Sequence, residues 1–240
     1  MDDLIPAIAP AEPWQSRAKG WLKRAIAPPT VLFQRHRIAD YLSREKSPKL
    51  HMGCGLNILP GWLNADLTPL GRRGTVYIDA TKRLPFADGM LSFIFTEHFI
   101  AHLSLNDGAR FLRECYRVLR KGGVLRTTGE DLTFAAKMSL SSEPRYEAYH
   151  RWICKEFLGD ERYPRCFGVN YFVYGHGHKF LFDAEAITWL LKRVGFSEVV
   201  PAKVGESTQP ELQGVEGHDR VVGIPPEFEG IETFVVEAIK

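Results

Sequence analysis

Two glycines separated by one residue, Gly53 and Gly55, follow a short apolar stretch, and an acid, Asp66, comes eleven residues after the second glycine. Because glycine has no Cβ, such a loop can lie against a bulky polar ligand. A carboxylate at the end of the next strand can accept hydrogen bonds from both hydroxyls of a ribose. A dinucleotide fingerprint places its acid about twenty residues on, so this spacing argues against a nicotinamide dehydrogenase.

Four histidines are the candidates for proton transfer: His98, His102, His176 and His178. Histidine is the usual general base near neutral pH. His98 and His102 are four residues apart, so we expect them to share a helix face. His176 and His178 would point the same way in an extended chain. The alternative for each is a structural histidine, bonded to the backbone or lying on the surface.

A metal site could be assembled on paper from His150, Cys154, Cys166, His176 and His178, but their spacing matches no familiar zinc arrangement. We therefore predict no metal. The four cysteines of the chain form no Cys-x-x-Cys pair, and we interpret them as reduced thiols in a cytoplasmic protein.

These candidates need a scaffold, and the apolar pattern predicts strands that alternate with helices. Such alternation indicates an α/β, Rossmann-like fold: a mostly parallel sheet with helices on both faces and a last antiparallel strand. We expect strands at 49–52, 62–66, 75–78, 92–96, 124–128, 198–200 and 233–238. We expect helices at 31–45, at 105–119 after a Ser104 cap, and at 184–194 after an Asp183 cap.

A stretch of about residues 134–182 breaks this alternation and is dense in aromatic residues. Its place after the fifth strand puts it at the carboxyl edge of the sheet, where ligands bind. We predict a helical, aromatic insertion that serves as a substrate lid. The alternative is an aromatic mini-core that only covers the sheet edge, and both can hold at once.

Composition limits the remaining classes of function. The chain has 240 residues, of which 45% are hydrophobic, and a net charge of +2, which is too near neutrality for a dedicated nucleic-acid binder. No apolar run reaches the roughly 20 residues of a membrane span. We divide the chain into an N-terminal helical extension, 1–46, and a main domain, 47–240. Within the extension, a basic amphipathic helix from Trp14 to Ala25 either packs on the domain or touches a membrane or the active site.

The runs LHMGCG (50–55) and LPGWLNAD (59–66) resemble the start of class I S-adenosylmethionine-dependent methyltransferases, and are closest to the bacterial group with the pattern LHLGCG…LPGWxNxD. The blocks at 84–88, 111–123 and 232–238 also resemble that family. The resemblance covers roughly residues 48–240. Two positions depart from it: His51 stands where the family often has an acid, and Asn57 where it often has a third glycine.

The resemblance implies S-adenosylmethionine as cofactor, with Asp66 on the ribose hydroxyls and Asp79 beside the adenine amine. A turn cap is the competing role for Asp79. The cofactor-binding residues implied in this way are Gly53, Cys54, Gly55, Asn57, Asp66, Leu67, Asp79, Ala80, Thr96, Glu97 and His98.

The resemblance further implies methyl transfer to an oxygen or nitrogen of a small molecule, such as a specialised metabolite or a glycan precursor. We take His98, His176 and His178 as the candidate catalytic bases. Two alternatives stay open: a methyltransferase that acts on RNA or protein, and a non-catalytic scaffold that binds S-adenosylmethionine. We expect no nucleic-acid partner, no integral membrane association and a protein that could form a homodimer.

Overall fold

The computed structural model describes residues 27–67 and 75–240. The predicted helix from Trp14 to Ala25 therefore lies outside the described residues. Among the residues that are described, no helix is both long enough and apolar enough to span a bilayer.

A seven-stranded sheet in the order β3-β2-β1-β4-β5-β7-β6 forms the centre of the structure. Strands β1 to β5 pair in parallel, and β7 is antiparallel to both of its neighbours, β5 and β6. This confirms the predicted α/β fold class. The strands are β1 Lys49–Met52, β2 Leu63–Asp66, β3 Thr75–Tyr77, β4 Leu91–Thr96, β5 Leu119–Glu130, β6 Glu198–Pro201 and β7 Thr233–Ile239.

The α-helices are α1 Ala27–Arg44, α2 Leu105–Val118, α3 Leu132–Leu140, α4 Pro144–Ile153, α5 Arg165–Tyr174, α6 Ala184–Val194 and α7 His218–Val222. There are also three short 3-10 helices among the described residues, Ile100–His102, Pro210–Leu212 and Pro226–Phe228. A π-helix, Cys154–Leu158, follows α4. Ser104 and Asp183 cap α2 and α6 as predicted, since their side chains accept from Asp107 N and Ala186 N. Helix α1 begins four residues before the predicted start, because proline is accepted in a first helical turn.

The two faces of the sheet are covered differently. On one face, Leu50 and Ile94 belong to a large apolar core that includes Leu112 of α2 and Leu191 of α6. On the other face, Phe93 and Phe95 pack with Trp62, Leu212 and Val215, so that the 3-10 helix Pro210–Leu212 provides the cover. The strands alternate between these cores because successive side chains of a strand point to opposite faces.

The insertion after β5 has an aromatic core of its own, built from α3, α4 and α5. Phe134 lies at its centre, with ring centroids 4.8 Å from Tyr149 and 5.6 Å from Phe172. The ends of the insertion meet at the sheet edge, where Asp131 bridges Phe182. The insertion therefore has a mini-core, and residues of the same segment also line the cavity described below.

Two connections place residues at the carboxyl edge of the sheet. The crossover from β1 to β2 contains no helix, and the Asn64 side chain fixes it through two hydrogen bonds of 3.0 Å to the Leu59 backbone. The long segment between β6 and β7 is held by the buried Arg126. This guanidinium bonds Glu216 at 2.5 Å, Glu237 at 2.6 Å and the Lys203 carbonyl at 2.8 Å. Its path brings His218 and Glu232 to the sheet edge.

Candidate active site

A cavity of about 510 Å³ opens at the carboxyl ends of β1, β2, β4 and β5. One end is lined by the glycine loop after β1 and by residues that follow β2 and β3. The other end is lined by a cluster of histidines and glutamates and by aromatic side chains of the insertion. All the predicted site residues except Thr96 line this cavity, because parallel strands deliver their carboxyl ends to the same edge.

The two loop glycines are needed for different reasons. Both have positive φ, +71° at Gly53 and +49° at Gly55. A Cβ on Gly53 would lie 2.3 Å from the ring of Phe99, so packing inside the protein requires this glycine. A Cβ on Gly55 would meet no atom within 4 Å and would project into free space beside the cavity. Gly55 thus leaves room for a ligand, which is the role predicted for the loop.

Two carboxylates lie near this loop. Asp66 lines the cavity, and its Oδ2 accepts a hydrogen bond of 3.0 Å from Gly55 N. Asp79 also lines the cavity, with Ala80 and Leu67 beside it. Asp79 Oδ1 accepts from Thr81 N at 2.9 Å and from Thr81 Oγ1 at 2.7 Å. The turn-cap role of Asp79 is therefore present at one oxygen while the side chain still faces the cavity.

Asn57 and Glu97 line the cavity and also tie it to the segment before β7. Asn57 Nδ2 donates to Glu97 Oε2 at 2.9 Å and to Val215 O at 3.0 Å. Glu97 Oε1 accepts from Gly217 N at 2.7 Å and from His218 N at 2.9 Å. These bonds position residues 215–218, a role that the sequence pattern did not reveal.

Of the other residues considered for cofactor binding, one lies at the cavity and two lie away from it. Cys54 is buried and lines the cavity. Thr96 is fully buried and its hydroxyl donates to Thr127 Oγ1 at 2.9 Å, so the structure does not bring its side chain to the cavity. His51 also lies away from the cavity, with Nδ1 3.3 Å from Asn64 Oδ1, and burial lowers its pKa to about 4.

A buried polar cluster lines the far end of the cavity and is centred on Glu130. Its Oε1 lies 3.0 Å from His98 Nδ1 and 3.1 Å from His178 Nε2. Burial lowers the pKa of His98, but the adjacent Glu130 carboxylate raises it more, and the pKa lies at about 9. Burial likewise opposes ionisation of Glu130, yet His98 and His178 hold the pKa of that carboxyl well below its usual range. The pair is thus a buried ion pair at neutral pH.

His98 occupies a position that a helix would not give it. Its φ is +46°, a left-handed conformation that is uncommon for a residue other than glycine. It precedes the 3-10 helix Ile100–His102, so the expectation that His98 and His102 share a helix face is wrong. His102 nevertheless faces the same cluster, with its ring centroid 5.0 Å from that of His178. His176 completes the group at 5.8 Å from His178.

Of the histidines and glutamates that line the cavity, three were not among the predicted site residues: Glu130, His218 and Glu232. Strand β5 was expected to end at residue 128, but it continues to Glu130 because β7 pairs with it from Val124 to Glu130. Burial, with help from His98, lowers the pKa of His218 to about 3. Burial raises the pKa of Glu232 to about 7, against an opposing effect of His98. The sequence could have pointed to Glu232, because this residue begins the segment 232–238, which resembles the methyltransferase family.

The ligand atoms of His98, His218 and Glu232 lie within 4.8 Å of one another, a spacing that could hold a metal ion. However, the two imidazoles stack with centroids 3.6 Å apart and planes only 8° from parallel. A histidine lone pair lies in its ring plane, and two parallel planes do not meet at one ion. We therefore assign no ion to this group. The five residues considered from sequence are not gathered either, since Cys154 and His150 contact each other inside the insertion while Cys166 is exposed.

The arginines of the insertion do not face the cavity. Arg151 and Arg165 both pair with Glu147, at 3.0 Å each, and Arg162 pairs with Asp160 at 2.7 Å. They form a solvated, internally neutralised surface.

Two solved structures illustrate the similarity of the chain to known proteins. A methyltransferase dependent on S-adenosylmethionine from Archaeoglobus fulgidus is 18% identical, with a TM-score of 0.48, over 85% of this chain and 90% of that one. One from Mesorhizobium loti is 15% identical, with a TM-score of 0.46, over 80% of this chain and 90% of that one. Because both TM-scores lie below 0.5, we base no functional conclusion on them.

No curated protein matches the chain. Residues 49–127, which run from β1 into β5 and make up about a third of the chain, match the protein family described as a methyltransferase domain, and this match supports S-adenosylmethionine as the cofactor.

Proposed function

We propose that the protein transfers a methyl group from S-adenosylmethionine to an oxygen or nitrogen of a small molecule. The observation that carries this proposal is that one cavity joins the loop of Gly55 and Asp66 to a buried polar cluster with an aromatic wall. A cofactor held at the first end and an acceptor held at the second would share this space.

The residues at the first end fit such a cofactor. Gly55 leaves space where a Cβ would stand. Asp66 presents a carboxylate suited to a pair of ribose hydroxyls, and Asp79 one suited to an exocyclic amine. The bound cofactor supplies a methyl group already activated by its sulfonium, so the protein has mainly to hold the two partners in line.

The second end favours a small acceptor. Tyr149, Trp152, Phe157 and Phe172 form one wall, which suits an apolar body of limited size. Acceptors such as RNA or acidic proteins are less well supported, because the net charge is only +2 and the insertion's arginines pair with its own acids. A non-catalytic scaffold is less well supported too, since it would have no use for the polar cluster at this end.

Calorimetric titration with S-adenosylhomocysteine tests the cofactor half. We expect Asp66→Asn to weaken binding by about tenfold to a hundredfold, because hydrogen bonds to a charged group are worth about 1.5–3 kcal/mol. Asp88→Asn is the matched control, since Asp88 is exposed and lies away from the cavity. Equal affinities of the two variants, or no binding by the wild type, would refute the proposal.

Labelled S-adenosylmethionine tests the acceptor half. We expect label to enter members of a small-molecule library that carry a hydroxyl or amine on an apolar body. Incorporation into RNA or protein extracts alone would contradict a small-molecule acceptor.

A further inference from the structure

We propose that Glu232 takes the proton released by the methyl acceptor, and that the acceptor is a flat apolar molecule that presents a hydroxyl or amine to this carboxylate. This inference rests on the proposed function and specifies the substrate class and the proton acceptor of the same site.

Glu232 stands at the edge of the sheet, directly before β7. Its carbonyl accepts from Asp131 N at 2.8 Å, and the next residue, Thr233, pairs in register with Glu130. Only 4% of Glu232 is exposed to solvent, yet the residue lines the cavity. Its carboxylate is therefore shielded from bulk water and accessible to a molecule in the cavity.

The carboxylate of Glu232 has no strong hydrogen-bond donor close to it. Within 27–67 and 75–240, its nearest ionisable partner is His218 Nε2 at 3.9 Å, which is longer than a hydrogen bond, and a ring nitrogen of His98 lies within 4.8 Å. Glu130 contrasts with it, because two histidine nitrogens lie within about 3.1 Å of a single Glu130 oxygen. A carboxylate without strong donors keeps its affinity for a proton, and that is what a general base requires.

The histidines are less well placed to accept a proton. His98 Nδ1 contacts Glu130 and its Nε2 lies 3.0 Å from Thr233 Oγ1, so both ring nitrogens are engaged. His178 is engaged in the same way, with Nδ1 3.2 Å from Phe172 O and Nε2 beside Glu130. His102, His176 and His218 are the remaining histidines of the cavity. Burial lowers the pKa of each, and His176 packs edge-on against Phe157 and Tyr171.

The aromatic wall indicates the shape of the acceptor. Tyr149 and Trp152 pack edge-to-face with centroids 5.2 Å apart, and Phe157 lies 5.7 Å from Trp152. Aromatic rings arranged in this way favour a planar apolar partner. Since Glu232 lines the same cavity, a planar acceptor against this wall can direct its polar group to the carboxylate.

The chemical balance of the step is simple. The bond between the acceptor atom and its hydrogen breaks and the proton passes to the Glu232 carboxylate. The acceptor atom forms a bond to the methyl carbon while the bond between that carbon and sulfur breaks. S-adenosylhomocysteine and a methylated acceptor leave, and Glu232 returns its proton to water.

The charged and titratable groups that face Glu232 come from three elements. They are His98 after β4, Glu130 at the end of β5 and His218 of α7. Burial raises the pKa of Glu232 to about 7, which His98 opposes. Because the base must be ionised, we expect turnover to rise with pH through this region.

The test combines a spectroscopic and a kinetic measurement on Glu232→Gln. Infrared difference spectra of the cofactor-free protein, from about pH 5 to about pH 9, should show a buried carboxylic acid that ionises near neutrality in the wild type. That signal should be lost in Glu232→Gln and retained in Glu227→Gln, which changes an exposed residue of the same segment. Retention of the signal in Glu232→Gln overturns the proposal.

The kinetic measurement uses the acceptor identified with labelled cofactor. We expect Glu232→Gln to lower kcat by about a hundredfold to ten-thousandfold and to abolish the rise with pH. The affinity of Glu232→Gln for S-adenosylhomocysteine should stay near that of the wild type. If the wild type itself does not bind S-adenosylhomocysteine, the proposed function is refuted and not only this inference. Glu232→Asp, which keeps a carboxylate, should recover part of kcat. A larger loss of kcat in His176→Asn than in Glu232→Gln would assign the proton to His176 and overturn the inference.

Discussion

Replacement of Arg126 by methionine should destabilise the protein strongly. The Arg126 side chain is fully buried and bonds the carboxylates of Glu216 and Glu237 as well as the carbonyls of Lys203 and Glu206. Methionine would fill much of the volume but would leave two carboxylates buried without a counter-charge. Removal of one partner of a buried ion pair costs about 3–5 kcal/mol.

For a domain of this size, each kcal/mol lowers Tm by about 2–4 °C, so we expect Arg126→Met to lower Tm by about 6–20 °C. Differential scanning calorimetry measures the change. Arg110→Met is the matched control, because Arg110 pairs with Asp107 on the surface, where an ion pair is worth about 1 kcal/mol at most. The triple variant with Glu216→Gln and Glu237→Gln should recover part of the loss. Equal Tm values for Arg126→Met and Arg110→Met would refute the reasoning.

Two further predictions concern the glycine loop and the response to pH. Gly53→Ala should lower Tm more than Gly55→Ala does, because its new Cβ would collide with Phe99, whereas Gly55→Ala should mainly weaken S-adenosylhomocysteine binding in calorimetry; the reverse order would contradict the assignment of the two glycines. The raised pKa of His98, about 9, gives stability that is full below its usual value of 6.5 and is lost as the pH rises through 9. The raised pKa of Glu232, about 7, likewise gives stability that is lost between its usual value of 4.5 and pH 7. The lowered pKa values of His51 and His218 act in the opposite sense below pH 6.5, so Tm should fall only from about pH 6.5 to pH 9. Relative to the wild type, Glu232→Gln should gain Tm as the pH rises from 4.5 to 7; a flat wild-type profile above pH 6.5 would argue against the His98 shift, and no gain in Glu232→Gln would argue against the Glu232 shift.

The half of the site that depends on local pattern could be predicted from the sequence. Strand β1 and the glycine loop follow from an apolar run and from glycine's conformational freedom, and the Ser104 cap follows from hydrogen bonding within one turn. The short chain between Gly55 and Asp66 leaves room for a turn or two of helix at most, and the structure has no helix there. Each of these features is decided by residues close together in the sequence.

The polar cluster could not be predicted in this way. Glu130 and Glu232 become neighbours through the antiparallel pairing of β5 with β7, about a hundred residues apart in the chain. His218 reaches them because Glu97 and Arg126 hold the segment before it. The left-handed backbone of His98 also depends on these distant contacts, among them the bond of His98 N to Thr128 O at 3.2 Å. Local propensity carries no information about such pairings.

The position of β7 between β5 and β6 has a consequence for the order of assembly. The loop of Gly55 and Asp66 lies at the ends of β1 and β2, and these strands and β4 are neighbours in the sheet and all come from residues 49–96. The carboxylate of Glu232 takes its place only when β7 inserts between two strands made earlier, a non-local step that folds slowly. During synthesis, the end of the cavity lined by the glycine loop can thus form before the end lined by Glu232. On the proposed assignment, a nascent chain would hold the residues for the methyl donor before it holds those for the acceptor.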